Sequence, residues 1–101
     1  MGNVEFLARS IDTSRFNLAI VTIDPHSSGP DVHEHDQEDD SFYVLEGELV
    51  FSVDGDEVDA GPGTFVLVPP GVPHSFHNRT DEPARFVNVH APAGFDRRIE
   101  G

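Results

Sequence analysis

The sequence comprises 101 residues and has no cysteine, which excludes disulfide bonds and thiolate ligands. Six arginines stand against 19 acidic residues, and the net charge of −13 argues against nucleic acid or anionic membrane surfaces as partners. We expect one domain over residues 1–101. Residues 1–5 carry neither a basic n-region nor a long apolar stretch, so we expect no signal peptide, no membrane span and a cytoplasmic location.

Short runs of β-branched and aromatic residues alternate with turn residues along the whole chain. The predicted strands span residues 4–8, 15–23, 42–45, 49–53, 57–60, 64–68, 74–78 and 85–90. Asp54 and Gly55 predict a tight hairpin, and residues 95–101 are expected to hold one helical turn at most. Strands of this length and spacing predict an all-β, antiparallel sandwich or barrel.

Two histidines and an aspartate mark the middle of the chain. Strand side chains alternate with period two, so on an extended segment His33 and His35 point to the same side. Asp40 would share a face with the apolar side chains of Phe42 and Val44, which predicts a carboxylate in the interior. Burying a charge costs free energy unless the charge is paired or bound to a metal.

His74 is also a polar group that is predicted to be buried, because it shares a strand face with Phe76 and Asn78. A bound metal would offset the free-energy cost of burying all these polar groups together. Imidazoles and a carboxylate suit divalent iron, manganese, nickel, copper, cobalt or zinc, and the ligands alone do not choose among these metals. The predicted ligands of one transition metal are His33, His35, Asp40 and His74.

Two patterns then resemble the signatures of the cupin superfamily, whose members are small β-barrels of the double-stranded β-helix, or jelly-roll, type. The second cupin motif, G-x5-P-x-G-x2-H-x3-N, is matched by Gly63, Pro69, Gly71, His74 and Asn78. The first motif, G-x5-H-x-H-x3–4-E-x6-G, is matched by His33, His35 and Gly47, with Asp40 at the glutamate position and the leading glycine displaced to Gly29. The resemblance covers roughly residues 15–93 and implies a single cupin domain.

Asp40 is one methylene shorter than the glutamate that the motif usually carries, which leaves several arrangements open. Asp40 could bind the metal directly, or it could reach a metal held by three histidines through a water molecule. Glu38 and Asp39 are nearby substitutes. Most of the acidic run 36–40 is expected to be a solvated loop, with one inward member.

Residues outside the ligand set also carry expectations. His90 shares a face with Phe86 and Asn88 that could line a cavity, so His90 and an unbound Asp40 are the candidates for a general base. A small apolar cavity is expected from Phe42, Val44, Phe76 and Phe86. Core positions are expected for Tyr43, Phe51 and Phe65. Asn78 is expected to form structural hydrogen bonds, and Gly47 to occupy a turn with positive φ.

The resemblance implies a choice of activities, because cupins include quercetinase-type dioxygenases, oxalate decarboxylases, isomerases, lyases, polyketide cyclases and non-catalytic binders. Fold alone does not select one of them. The favoured interpretation is a metal-dependent oxygenase-like or lyase-like enzyme that acts on a small oxygenated or aromatic molecule. The alternatives are a non-catalytic, metal-stabilised module that binds small molecules, and a metal-free structural barrel. The resemblance also implies a homodimer, with residues 4–8 contributing to the interface.

Overall fold

The computed structural model describes residues 2–100 and has eight strands and one short helix in that range. The strands are β1 (Gly2–Ala8), β2 (Asn17–Ile23), β3 (Asp39–Glu46), β4 (Leu49–Val53), β5 (Asp56–Ala60), β6 (Phe65–Val68), β7 (His74–His77) and β8 (Ala84–Ala91). The helix α1 spans Phe95–Glu100. No helix within this range is long and apolar enough to cross a membrane.

The strands form two antiparallel sheets that enclose the core. One sheet has five strands in the order β1-β2-β8-β3-β6, and the other has three in the order β5-β4-β7. All the strand pairs are antiparallel. The predicted all-β jelly-roll barrel is therefore confirmed.

The strict alternation of buried and half-buried residues on β2 and β8 shows which face points inward. The register pairs Val21 with Phe86 and Ile23 with Ala84, so apolar side chains lie opposite one another in the interior. Four inward phenylalanines form the centre of the core, with ring centroids 4.9–6.4 Å apart: Phe42, Phe51, Phe76 and Phe86. Each such ring contributes about 1.5–3 kcal/mol through burial alone.

The expectation that Tyr43 and Phe65 belong to the core is wrong, whereas Phe51 is fully buried. Tyr43 is paired with Phe65 across β3 and β6, and both side chains are exposed. The reason is the period of the strand: Phe42 and Val44 are buried, so Tyr43 between them points to the outer face of the sheet.

The predicted backbone conformations of two turns are confirmed. Asp54 and Gly55 both have positive φ, of 52° and 86°, as a type I′ hairpin between β4 and β5 requires. Gly47, between β3 and β4, has a φ of 75°, and a Cβ there would lie 2.5 Å from the carbonyl oxygen of Pro83. A side chain at Gly47 would therefore meet both an unfavourable backbone conformation and a steric clash.

The predicted hydrogen-bonding role of Asn78 is also confirmed. Its amide nitrogen donates to the carbonyl oxygens of Ile23 and Glu82, and its amide oxygen accepts from the backbone and hydroxyl of Thr80. The side chain is fully buried. Asn78 thus ties the end of β7 to the loop that leads into β8.

The helix α1 is longer than the single turn expected for residues 95–101, since six residues form roughly one and two-thirds turns. Gly101 lies outside the described residues. Asp96 accepts hydrogen bonds from the backbone and hydroxyl of Ser10, and Arg98 forms an ion pair with Glu38. These contacts with distant parts of the chain stabilise a helix that has no local apolar periodicity.

Candidate metal centre

The cluster of predicted ligands lies at one end of the barrel, where a loop segment joins β7. The backbone nitrogen of His33 donates to the carbonyl oxygen of His74 at 3.0 Å, and His74 returns the bond at 2.8 Å. The nitrogen of Gly71 donates to the carbonyl oxygen of His35 at 2.8 Å. His33 and His35 are therefore positioned by a β-bridge and a turn rather than by a regular strand.

The structure brings all four predicted ligand residues together. His33, His35, Asp40 and His74 each offer one ligand atom, and these atoms lie within 4.8 Å of one another. Asp40 and His74 are buried, and His33 and His35 are half-buried. The cluster could hold one metal ion, although the assignment of the individual ligands stays a prediction.

Hydrogen bonds orient two of the imidazole rings. The Nδ1 of His33 donates to the carbonyl oxygen of Asp31 at 2.8 Å, and the Nδ1 of His74 donates to that of Val72 at 2.9 Å. A carbonyl oxygen can only accept, so Nδ1 carries a proton in both rings. In His33 the Nε2 atom is thereby left as the coordinating nitrogen, which is how proteins commonly fix metal-binding histidines. In His74 the Nε2 atom hydrogen-bonds to Asp40, and it would coordinate a metal after losing the proton that it donates there.

Asp40 stands at the centre of a polar network. Its Oδ2 lies 2.9 Å from the Nε2 of His74 and 3.4 Å from that of His35. Its Oδ1 accepts a hydrogen bond of 2.7 Å from the amide nitrogen of Asn88 and lies 3.1 Å from the Nε2 of His90. Asn88 thus holds one carboxylate oxygen and leaves the other turned toward His35 and His74.

The environment of His35 shows whether the cluster suits a metal ion. Its Nε2 is buried and, among the side chains of residues 2–99, is the one buried nitrogen or oxygen without a hydrogen-bond partner. Leaving such an atom unsatisfied costs about 1–3 kcal/mol. A cation between His35, His74 and Asp40 would remove that cost, so the donor set fits a divalent transition metal.

Burial and the carboxylate of Asp40 shift the pKa values of the side chains in the cluster. Burial alone would raise the pKa of Asp40, but the hydrogen bond from His74, the charge of His90 and the amide of Asn88 hold it below its usual range. Burial opposes protonation of His74, yet its hydrogen bond to Asp40 raises the pKa. Burial lowers the pKa of His35. His35 is therefore kept neutral, the form that binds metals.

His90 lies beside the cluster and lines the cavity described below. Its Nε2 faces Asp40, its Nδ1 lies 3.1 Å from the carboxylate of Glu38, and its ring stacks on Phe95 at 4.0 Å with an interplanar angle of 1°. Burial lowers the pKa of His90, and the two carboxylates act against that shift. His90 is thus held in one orientation from three sides.

The expectation that the run 36–40 has only one inward member is wrong. Glu38 is 12% exposed and accepts two hydrogen bonds from Arg98, of 2.6 and 2.7 Å. The hydrogen bond from Arg98 lowers the pKa of Glu38 to about 2. Glu38 is consequently committed to Arg98 and His90 and does not replace Asp40 in the cluster.

Sequence reasoning placed Asn88 on the same face as His90 but did not assign its hydrogen bond to Asp40. It also missed the ion pair between Glu38 and Arg98. The alternation along β8 was the available signal for Asn88, since a buried amide between Phe86 and His90 needs a polar partner. Nothing local connects Arg98 with Glu38.

A cavity of about 200 Å³ opens beside the cluster. Its walls include the rings of Phe42, Phe76 and Phe86, while Val44, which was also expected to line it, is not among its lining residues. Val44 is fully buried in the core. Four residues of the cluster and its surroundings also line the cavity: His33, Asp40, Asn88 and His90.

Comparison with known proteins gives one family match and several relatives. A family model described as a cupin domain matches residues 19–90. The chain is 35% identical over 65 residues to quercetin 2,3-dioxygenase of Bacillus subtilis, which covers 63% of this chain and 19% of that protein. It is 35% identical over 52 residues to the HTH-type transcriptional regulator PuuR of Escherichia coli, which covers 52% of this chain and 28% of that protein.

The chain thus spans less than a third of either curated relative. Among solved structures, TT1209 from Thermus thermophilus superposes with a TM-score of 0.82 at 28% identity, covering 92% of this chain and 85% of that one. The match therefore includes nearly the whole described barrel.

Proposed function

The chain belongs to the cupin family, and from this membership and the geometry of the cluster we propose that it is a metal-dependent enzyme of oxygenase-like or lyase-like type. Its substrate would be a small oxygenated or aromatic molecule. The proposed ligands are His33, His35, Asp40 and His74. The observation that carries the proposal is the unpartnered, buried Nε2 of His35 in a cluster that borders an apolar cavity.

A divalent transition metal bound there would supply Lewis acidity and a template for the substrate's oxygen atoms. Iron, manganese, nickel, copper, cobalt and zinc all suit this set of nitrogen and oxygen donors. The side chains of this chain would do the rest. Asn88 holds Asp40 in place, and the backbone carbonyls of Asp31 and Val72 hold the rings of His33 and His74.

His90 is the proposed general base because it lines the cavity and its ring is fixed by Phe95 and Glu38. A general base must lie within hydrogen-bond reach of the proton that it removes. The alternative base is Asp40, in the case that it does not bind the metal directly. Replacement of His90 by glutamine separates the two, because it would leave the ligand set intact.

A second candidate function is a non-catalytic module that binds small molecules and is stabilised by a metal. The 35% identity with a transcriptional regulator supports this alternative, as does the shortened carboxylate at position 40. A redox-active metal with exchangeable water would favour the enzyme. Tightly bound zinc closed to solvent would favour the module.

The test is the metal content of the protein, measured by elemental mass spectrometry on the wild type and on His35→Ala. We expect about one equivalent in the wild type and none in the variant. His77→Ala is the matched control, because His77 is on β7 and outside the cluster. Full metal occupancy in His35→Ala would contradict the metal centre.

Three further expectations remain proposals. We propose that residues 1–101 form a single cupin domain, that the protein is cytoplasmic, and that it is a homodimer to which residues 4–8 contribute. Size-exclusion chromatography with light scattering checks the homodimer. A monomer at micromolar concentration would contradict it.

A further inference from the structure

The cavity beside the cluster limits the size of what can bind there. Its volume is about 200 Å³. Drug-sized ligands occupy pockets of about 300–1,000 Å³, whereas an apolar cavity of about 150 Å³ is large enough for benzene. The space therefore suits one substituted ring and not a molecule of several rings.

The charge of the lining limits the ligand further. Neither arginine nor lysine is found among the described residues that line the cavity. Arg98, which borders the adjacent open groove, has both its terminal nitrogens bound to Glu38. Glu34 and Asp36 line the same groove. Apart from the metal, a ligand carboxylate would meet acidic groups and no arginine of the wall. The carboxylate of Asp40 already offsets part of the metal's charge, so the wall favours an uncharged ligand.

The remaining lining fits a ring with one polar group. Phe42, Phe76 and Phe86 have centroids 5.3–5.8 Å apart and meet at interplanar angles of 60–78°, the spacing and tilt of edge-to-face aromatic contacts. The polar residues Asn88 and His90 line the same cavity. An aromatic ring bearing a hydroxyl or carbonyl group would pack its ring against the phenylalanines and place its polar group beside the polar lining residues.

Three lining residues lie outside the segment that matches the family model. They are Val4 on β1 and Phe95 and Ile99 on α1, whereas the match covers residues 19–90. The position of α1 is maintained by Asp96, which accepts from Ser10, and by the stack of Phe95 on His90. The strand β1 and the helix α1 therefore form the part of the cavity wall that residues 19–90 do not provide.

We propose that the cavity selects an uncharged single-ring molecule with a hydroxyl or carbonyl group, and that Val4, Phe95 and Ile99 set the upper limit of its size. This inference rests on the proposed function, because it names the substrate class of the same site. It goes further in assigning selectivity to the two ends of the described chain.

The experiment is a calorimetric titration of the protein as purified, and of the same protein after treatment with a chelator, with metal content measured on every sample. The probes are phenol, benzoate and quercetin, the compound after which the Bacillus subtilis relative is named. Val4→Phe fills the cavity from β1, and Ile99→Phe fills it from α1. Val58→Phe is the matched control, since Val58 is exposed on β5 and does not line the cavity.

We expect phenol to bind more tightly than benzoate or quercetin. Each filling variant should weaken phenol binding by about tenfold, while Val58→Phe leaves it unchanged. Two filling variants on different elements keep the test decisive if one of them fails to fold. Equal or tighter binding of quercetin or benzoate would overturn the inference, and so would phenol affinity that is unaffected in both filling variants.

The failures of the two proposals are distinguishable. Phenol binding together with the absence of metal from the protein as purified would support the cavity assignment while contradicting the proposed function. Retained metal without phenol binding would overturn the cavity assignment and leave the metal centre standing.

Discussion

The interior of the barrel has two halves that are built on the same strands. On β3 the inward side chains run from Asp40 through Phe42 to Val44, and on β8 they run from His90 through Asn88 to Phe86. The register places Asp40 opposite His90 and Val44 opposite Phe86. One half is consequently polar and the other apolar, although every one of these positions is buried.

The two halves owe their order to different forces. The apolar half is held by burial and close packing, which act on any side chain of suitable size and shape. The polar half is held by directed hydrogen bonds, and His35 retains one unsatisfied nitrogen. Burial by itself therefore indicates where the interior lies, and only the partner of each polar atom indicates where chemistry can occur.

The largest expected effect lies in the apolar half. Phe51→Ala should lower the free energy of unfolding by about 3–5 kcal/mol, because it leaves a cavity among Phe42, Phe76 and Phe86. Urea unfolding measures the change. Phe65→Ala is the control on the exposed face and should change stability by less than about 0.5 kcal/mol. Equal losses of unfolding free energy in the two variants would contradict the conclusion that burial and packing hold the apolar half together.

Backbone packing at the apolar end comes next. Gly47→Ala should destabilise the fold by about 3 kcal/mol, because strain at positive φ adds to a clash with the carbonyl of Pro83. Gly55→Ala shares the positive φ but has open space around the added Cβ, so we expect about 1 kcal/mol. The difference between the two melting curves isolates the clash. A larger loss at Gly55 would contradict this explanation.

In the polar half, Asp40→Asn removes a charge and nearly preserves the shape of the side chain. We expect metal affinity to fall by at least about 100-fold, because the effect should equal or exceed that of losing a residue that only supports a ligand. Competition with a chromophoric chelator measures it. Asp39→Asn is the control, since Asp39 is the exposed neighbour. Unchanged affinity in Asp40→Asn would reduce the site to its three histidines.

The smallest expected effect concerns α1, which covers the polar half. Burial alone would raise the pKa of Asp96, but hydrogen bonds from Ser10 and Asn17 hold it below its ordinary value. A carboxylate whose folded-state pKa is lowered stabilises the fold above its unfolded pKa of about 3.9 and loses that contribution as the pH falls.

The stability difference between wild type and Asp96→Asn should therefore be largest near neutral pH and shrink below about pH 4. Urea unfolding at several pH values measures it. Asp56→Asn makes the same change of charge on the exposed strand β5. A difference that grows on acidification would show that the hydrogen bonds of Asp96 are not the cause.

Much of the polar half was predictable from the sequence. Period-two alternation placed Asp40 and His74 inside, and two spaced motifs brought His33 and His35 to them. The same period, applied to every residue, would also have placed Tyr43 outside, since its neighbours Phe42 and Val44 were assigned to the interior. That error arose from reading the aromatic residue type ahead of its position on the strand.

The sequence by itself determined an all-β sandwich or barrel, because strand alternation and turn chemistry act between near neighbours. Its candidate ligands followed from the same alternation, and its resemblance to the two cupin motifs identified the family. Only the tertiary structure decided that Arg98 binds Glu38, that Glu38 and Asp40 hold His90 between them, and that α1 walls the cavity. Arg98 and Glu38 are separated by 60 positions along the chain. Such contacts depend on how α1 docks against the sheet, and no local pattern encodes that docking.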